Sequence, residues 1–246
     1  MEEQHTVVQT ILYHLLPGVL AGAFFWFVAY LFDKWNLPTI LALNLTLLII
    51  VIPVELGIIF YLGRKKNNKS SWKGVIQYTE KTPIWQVVLF SILALVWAAL
   101  IMGFVDKWLN VTTWIQNNLF GWLPAYFDIA DIYINPGSYS LGMKITAWVT
   151  GLLFTSILGP FVEELYFRGY LMPRISRFKY WTPLIHSILF AVYHFWSLAL
   201  IPMRVIAILP MNYFVYWKKD IKIGIVTHIL LNLIADSIMM FPIFFM

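Results

Sequence analysis

Long apolar runs recur from one end of this chain to the other, each able to cross ~30 Å of hydrocarbon as a helix of about 20 residues. Inside a bilayer each backbone N–H and C=O must be satisfied without water, so runs of this length fold as helices. The fold class is therefore all-α: a polytopic membrane helical bundle of about seven (six to eight) transmembrane helices. It is read as one integral membrane domain over residues 1–246. Only 12% of the residues are charged, where a soluble domain carries roughly 25%. The net charge of +5 then sets orientation in the lipid bilayer and does not point to nucleic acid. Cys is absent, which excludes disulfides, thiolate metal sites and a Cys nucleophile. The start is acidic, with Glu2 and Glu3, and no small-residue cleavage site follows the first apolar run, so no removable signal peptide is expected.

The spans fall at Thr10 to Phe32, Pro38 to Leu62, Trp85 to Val105, Ile145 to Pro173, Pro183 to Leu200, Ile201 to Trp217 and Ile223 to Met240. The first holds Gly18-x-x-x-Gly22, a spacing that lets helices approach closely, though a chance pair of small residues explains it equally well. Three basic clusters lie where alternate spans end. They are Arg64 to Lys81, Arg174 to Lys179, and Lys218 to Lys222. By the positive-inside rule these ends, and the N-terminus with them, are cytoplasmic. The segment from Asp106 to Lys144 is poor in basic residues and reads as the outer face, with an aromatic interfacial helix near Trp114.

Against this background the stretch from Leu158 to Ile175 is anomalous, because Glu163, Glu164 and Arg168 stand in an otherwise apolar run. Ionisable groups at membrane depth are costly, which makes each a functional-site hypothesis. Glu164 and Arg168 are four residues apart and share a helix face, so they can pair as a structural brace. Glu163 is turned ~100° from its neighbour and is free to face a different cavity. Counting ~1.5 Å per residue from the basic clusters puts Glu163 and His194 each ~16 Å deep, with His228 and Asn232 at ~9 and ~15 Å. Four hydrogen-bonding side chains from three helices thus reach similar depth. Helices over residues 145–240 form the catalytic core.

A carboxylate and an imidazole can hold and deprotonate a water, while a second imidazole and an amide can donate to an oxyanion. Glu163, His194 and His228 also make a Glu-plus-two-His set of the kind that binds catalytic zinc, without the HExxH spacing. The three groups in order are Glu163-Glu164-x-x-x-Arg168, Phe190-x-x-x-His194 and His228-x-x-x-Asn232. This ordered trio resembles the CAAX protease and bacteriocin-processing (Abi) family of intramembrane endopeptidases, whose members include the prenyl-protein endopeptidases. The resemblance covers Ile145 to Asp236 and implies Glu163 as the water-activating carboxylate with His194 as its partner. It implies His228 and Asn232 as oxyanion donors, and Glu164 with Arg168 as support. Both metal-dependent and glutamate-type mechanisms have been described for the family. The metal-free version is preferred because Asn232 suits an amide donor better than a ligand; a metal, if used, would be zinc on Glu163, His194 and His228.

The expected substrate is a membrane-anchored peptide or protein reached from the cytoplasmic side: the tail of a prenylated CAAX protein, or a bacterial peptide precursor. The rival class is a non-enzymatic membrane protein for immunity or transport, since buried Glu, His and Arg also mark ion pathways. His14 and His186 are read as packing residues, His186 at the interface. Glu55, two residues after Pro53, is read as a structural hydrogen bond at a kink, and Asp236 is left open between orienting the site and facing outer water.

Overall fold

The computed structural model describes residues 4–245, so Glu2 and Glu3 of the acidic start and Met246 of the apolar tail lie outside the described residues. The described residues form helices and connecting segments, with two isolated bridges and no strand among them. Helix α1 spans Val7–Lys34, α2 spans Thr39–Asn67 and α3 spans Ile84–Leu109. A short helix α4, Val111–Leu119, has no buried residue, as an interfacial segment requires. The next helical run, Leu141–Tyr193, is 53 residues long but breaks at Lys179, which takes φ 53° and ψ −126°. It is two legs: α5 over 141–171, and α6, Thr182–Tyr193. Helix α7 is Ile201–Lys218 and α8 is Ile221–Met240. Among the described residues six helical runs are long and apolar enough to cross a membrane, and the reversal at Lys179 gives seven legs.

Pro17, Pro53, Pro160, Pro183, Pro202 and Pro210 all sit within helices; Pro183 and Pro202 occupy first-turn positions, where the missing N–H costs nothing, whereas Pro53 and Pro160 lie inside α2 and α5, each shortly after a π-helical turn. Three of the long helices widen into π-helical turns, at Leu47–Val51, Leu100–Val105, Gly151–Leu158 and Glu164–Leu171. Such turns displace side chains from the regular helical ladder and are frequent beside functional sites.

One end of the bundle gathers the basic clusters. The segment between α2 and α3 runs across it, with Gln77 N–H donating to Gly169 O at 2.8 Å and Arg174 Nη1 donating to Val75 O at 3.2 Å. Ile221 N–H donates to Tyr78 O at 2.9 Å, and Glu80 N–H to Lys219 O at 3.0 Å. His5 N–H, just before α1, donates to Arg174 O at 2.9 Å. All three clusters and the described start of the chain therefore lie together, as alternation of seven legs demands. At the other end Asp131 accepts from Thr39 N–H and from the Tyr139 hydroxyl at 2.9 and 2.8 Å.

The helix α6 ends earlier than its apolar run does. It stops at Tyr193, and His194 takes a non-helical φ/ψ of −81° and 64°. The chain turns there against α1, in the place that Gly18 and Gly22 leave open. A Cβ at Gly18 would lie 2.9 Å from the Tyr193 carbonyl carbon, and one at Gly22 2.8 Å from Phe195 Cβ. The Gly-x-x-x-Gly pair is thus a seat for backbone, as in other close membrane packings. His186 differs from the interfacial expectation: it is fully buried, with Nδ1 3.1 Å from His14 Nε2. Its side chain faces α1 and not the membrane surface, because α6 packs on α1 over that turn.

Valine at position 18 should force this seat apart, whereas Gly57 has nothing near its Cβ direction. In detergent, Gly18→Val is expected to lower stability by about 1–3 kcal/mol, the usual cost of overpacking. Gly57→Val should stay within about 1 kcal/mol, the size of the β-branched helix penalty. Thermal unfolding of the two purified variants checks the contrast.

Candidate active site

A cavity of about 340 Å³ is lined by Glu163, His194, His228 and Asn232 together. Its other walls are mostly apolar, including Leu43 and Leu47 of α2, Ala98 and Met102 of α3, and Ala207 and Met211 of α7. The four polar groups arrive from three helices. Glu163 is held on α5 just before its π-helical turn. His194 sits at the broken end of α6, and His228 and Asn232 lie one turn apart on α8.

The two neighbouring glutamates are separated as their ~100° offset requires. Glu164 is fully buried and spends Oε1 on Arg168 Nη1 at 2.9 Å and on His228 Nδ1 at 2.9 Å. Gly224 of α8 makes room for it, since a Cβ there would lie 3.1 Å from the Glu164 carboxyl carbon. Glu163 faces the cavity, with Oε2 4.0 Å from His228 Nε2 and Oε1 3.4 Å from the Tyr193 hydroxyl.

Arg168 is the largest fully buried side chain and is enclosed on several sides. Its Nε donates to Asn212 Oδ1 at 2.9 Å, and Asn212 Nδ2 donates to Ser187 Oγ at 2.7 Å. The Phe190 ring lies 4.0 Å from the guanidinium carbon, a cation–π contact worth more when desolvated. The same ring contacts His194 at 4.8 Å and His228 at 5.9 Å between centroids. Phe190 is thus the apolar wedge that sets both imidazoles.

The imidazoles differ in what their outer nitrogens hold. His194 Nδ1 is 2.8 Å from Phe190 O, which can only accept, so Nδ1 carries the proton and Nε2 keeps a lone pair. His228 Nδ1 donates to the Glu164 carboxylate, which leaves Nε2 towards Glu163. Asn232 donates one Nδ2 hydrogen to Thr155 O at 2.9 Å, on the π-helical turn of α5, and retains a second. Asp236 lines the same cavity and accepts from Ser156 Oγ. Among the described residues, no three His, Asp or Glu side chains are grouped as a metal-ligand set.

Residues 145–234 match the family model of the Type II CAAX prenyl endopeptidase Rce1-like proteins. That stretch of the chain is similar to the Rce1-like family. It contains Glu163, Glu164, Arg168, His194, His228 and Asn232. No curated protein and no solved structure matches the chain.

Three side chains that border the Rce1-like site are not apparent from the motifs. Tyr193, one residue before His194, donates to Glu55 Oε1 at 2.9 Å and so ties Glu55 of α2 to Glu163. Glu55 is fully buried and forms the hydrogen bond expected of it, but the bond adjoins the cavity and does not merely fill a kink. Arg204 of α7 also lines the cavity. Glu55 and Arg204 each carried the signal of a lone ionisable residue inside an apolar helix, and Tyr193 carried none beyond its place beside His194.

The division between brace and cavity predicts opposite stability effects. Arg168→Met leaves the buried Glu164 without its cation, and removing one partner of such a pair costs about 3–5 kcal/mol. Glu163→Gln breaks no contact shorter than 3.4 Å, so its unfolding midpoint in detergent is expected to stay close to that of the unaltered protein while Arg168→Met falls steeply.

Proposed function

We propose that the protein hydrolyses a peptide bond in a membrane-tethered substrate, with Glu163 activating the attacking water. The observation that carries this reading is the separation of the two glutamates: one is consumed by Arg168 and His228, and the other faces a cavity beside two imidazoles and an amide.

In this mechanism a water lies between Glu163 and His194. The Nε2 lone pair of His194 accepts one of its hydrogens, and Glu163 takes the other as the water oxygen attacks the scissile carbonyl. The new oxyanion accepts hydrogen bonds from His228 through Nε2 and from the free Nδ2 hydrogen of Asn232. Glu163 then delivers its proton to the departing amine as the C–N bond breaks, giving one amine and one carboxylic acid that keeps the water's second hydrogen. Glu164, Arg168, Asn212 and Ser187 hold this geometry and touch no reacting atom. We favour steps without a metal because Asn232 offers an amide donor and not a ligand; zinc, if used, would be held by Glu163, His194 and His228 and would supply a Lewis acid.

The basic clusters support a cytoplasmic assignment for their end of the bundle, and with it a substrate that enters from that side. A prenylated CAAX tail is the leading candidate, supported by the Rce1-like match. An apolar lipid chain suits the leucine, alanine and methionine walls of the cavity.

Glu163→Gln and Glu163→Ala, reconstituted in liposomes, should lose cleavage of a farnesylated peptide by about 10²–10⁴-fold, the contribution of a general base. Retention of activity in both would sink the protease reading in favour of an immunity or transport protein. Chelator treatment of the purified protein is expected to leave the rate unchanged; loss on chelation, restored by zinc, would instead assign Glu163 to a metal. Removing the farnesyl group should raise KM more than it lowers kcat, since lipid burial contributes binding away from the reacting atoms.

A further inference from the structure

The carbonyl of Thr155, which holds one hydrogen of Asn232, is left free by the sequence around it. In the π-helical turn Gly151–Leu158 the Gly159 N–H donates to Phe154 O, five residues back. The same register would offer Thr155 O the N–H of position 160, but that residue is Pro160 and has none. Thr155 O instead accepts from Asn232 Nδ2 of α8 at 2.9 Å. A side-chain amide is planar and its two N–H bonds point in fixed directions, so seating one of them aims the other. The direction of Thr155 O therefore sets where the second hydrogen of Asn232 points.

Helix α2 grips the same turn from the opposite side. Asn44 is buried, and its Oδ1 accepts from Thr155 Oγ1 at 2.7 Å. Its Nδ2 donates to Thr150 Oγ1 at 2.8 Å and to Ala147 O at 3.3 Å. Thr150 Oγ1 can accept because its own hydrogen goes to Thr146 O at 2.6 Å. One amide thus spans α5 from its regular turns into the π-helical one, with both hydrogens and its oxygen in use. A π-helical turn is seldom adopted without such support. The cavity wall includes Thr155 and Asn232 but not Asn44, and Asn44 lies outside the matched residues 145–234. Asp236, one turn beyond Asn232, accepts from Ser156 Oγ. That second tie keeps α8 on α5 when Asn44 is removed, so the aim of Asn232 changes and the packing stays.

We propose that Asn44 is a positioning residue for the oxyanion donor. By holding Thr155 Oγ1 it turns the Thr155 carbonyl, freed by Pro160, towards Asn232, and so aims the second Nδ2 hydrogen of Asn232 at the scissile carbonyl. This rests on the endopeptidase reading and adds to it a role for α2, which carries none of the three motifs. Asn44 acts only through Thr155 and touches no reacting atom.

The test measures cleavage of a farnesylated peptide in liposomes by Asn44→Ala and Thr155→Val, each alone and each combined with Asn232→Ala. Thr155→Val keeps the side-chain shape and the carbonyl but removes the hydroxyl that Asn44 holds. Both should lower kcat on the order of tenfold with KM unchanged, the mark of a misaimed transition-state contact. Asn232→Ala itself should cost about 10²–10³-fold, as for a lost oxyanion donor. On top of Asn232→Ala, the other two substitutions should change kcat by less than about twofold, because the donor they aim is gone. Thr155→Ser keeps the hydroxyl and should restore most of kcat. A loss that persists in full without Asn232, or one carried by KM, overturns the proposal and leaves Asn44 as a packing contact. If Asn44→Ala does not fold, Thr155→Val and Thr155→Ser decide it by the same comparison. Unfolding midpoints in detergent give a readout independent of cleavage: Asn44→Ala and Asn232→Ala together should lower the midpoint by less than the sum of their separate effects. No cleavage by the unaltered protein, with that non-additivity, would keep this inference and remove the endopeptidase reading. Cleavage with equal losses in both backgrounds would do the reverse, and no cleavage with additive midpoints would remove both.

Discussion

The contact between Glu164 and Arg168 governs how the rest of the bundle is arranged. Two opposite charges are fully buried at membrane depth, 2.9 Å apart. Desolvating such a pair is expensive, and it survives only where further hydrogen bonds complete it. Three neighbouring helices supply contacts to it, while Arg168 Nη2 and Glu164 Oε2 have no hydrogen-bond partner among the described residues. Helix α6 contributes Phe190 and Ser187, α7 contributes Asn212, and α8 contributes His228 and the space at Gly224. The same contacts that neutralise the charge therefore fix His228 next to Glu163. Support and site are one network, with the boundary between them running between two consecutive residues.

A second constraint comes from backbone and not from charge. The turn that carries His194 leaves helical geometry in the middle of the apolar region, where free carbonyls and amides have no water. It is tolerated because it is covered by protein: Gly18 and Gly22 of α1 lie against it, and His194 Nδ1 takes up the Phe190 carbonyl that the helix end would otherwise strand. Tyr193, at the same turn, reaches Glu55 on α2 and Glu163 on α5. A single broken helix end thus connects the first half of the chain, outside the Rce1-like match, to the carboxylate facing the cavity.

Much of this was legible from spacing alone. The four-residue separation of Glu164 and Arg168, the ~100° offset of Glu163, and the common depth of His194, His228 and Asn232 depend only on helical rise and twist. These quantities tolerate errors in helix ends, which is why the early end of α6 did not disturb them. What spacing does not carry is which distant helix faces which. Arg204 and Asn212 belong to α7, whose rotation about its axis no motif specifies, and Glu55 meets Tyr193 only through the approach of α2 to the end of α6. His186 shows the reverse failure: nearness to a helix start suggested the interface, yet contact with His14 buries it.

The account depends most on Glu163 facing the cavity while Glu164 does not. Because the chain has no Cys, a single introduced thiol reports its own surroundings without background. Glu163→Cys and Glu164→Cys, each purified as folded protein in liposomes, can be treated with a small membrane-permeant thiol reagent and the labelling rates compared. The rate at position 163 is predicted to exceed that at 164 by at least about tenfold, as thiol reactivity follows access and polarity of the surroundings. Equal labelling, or faster labelling at 164, would contradict the assignment of Glu163 as the reactive carboxylate and Glu164 as its support.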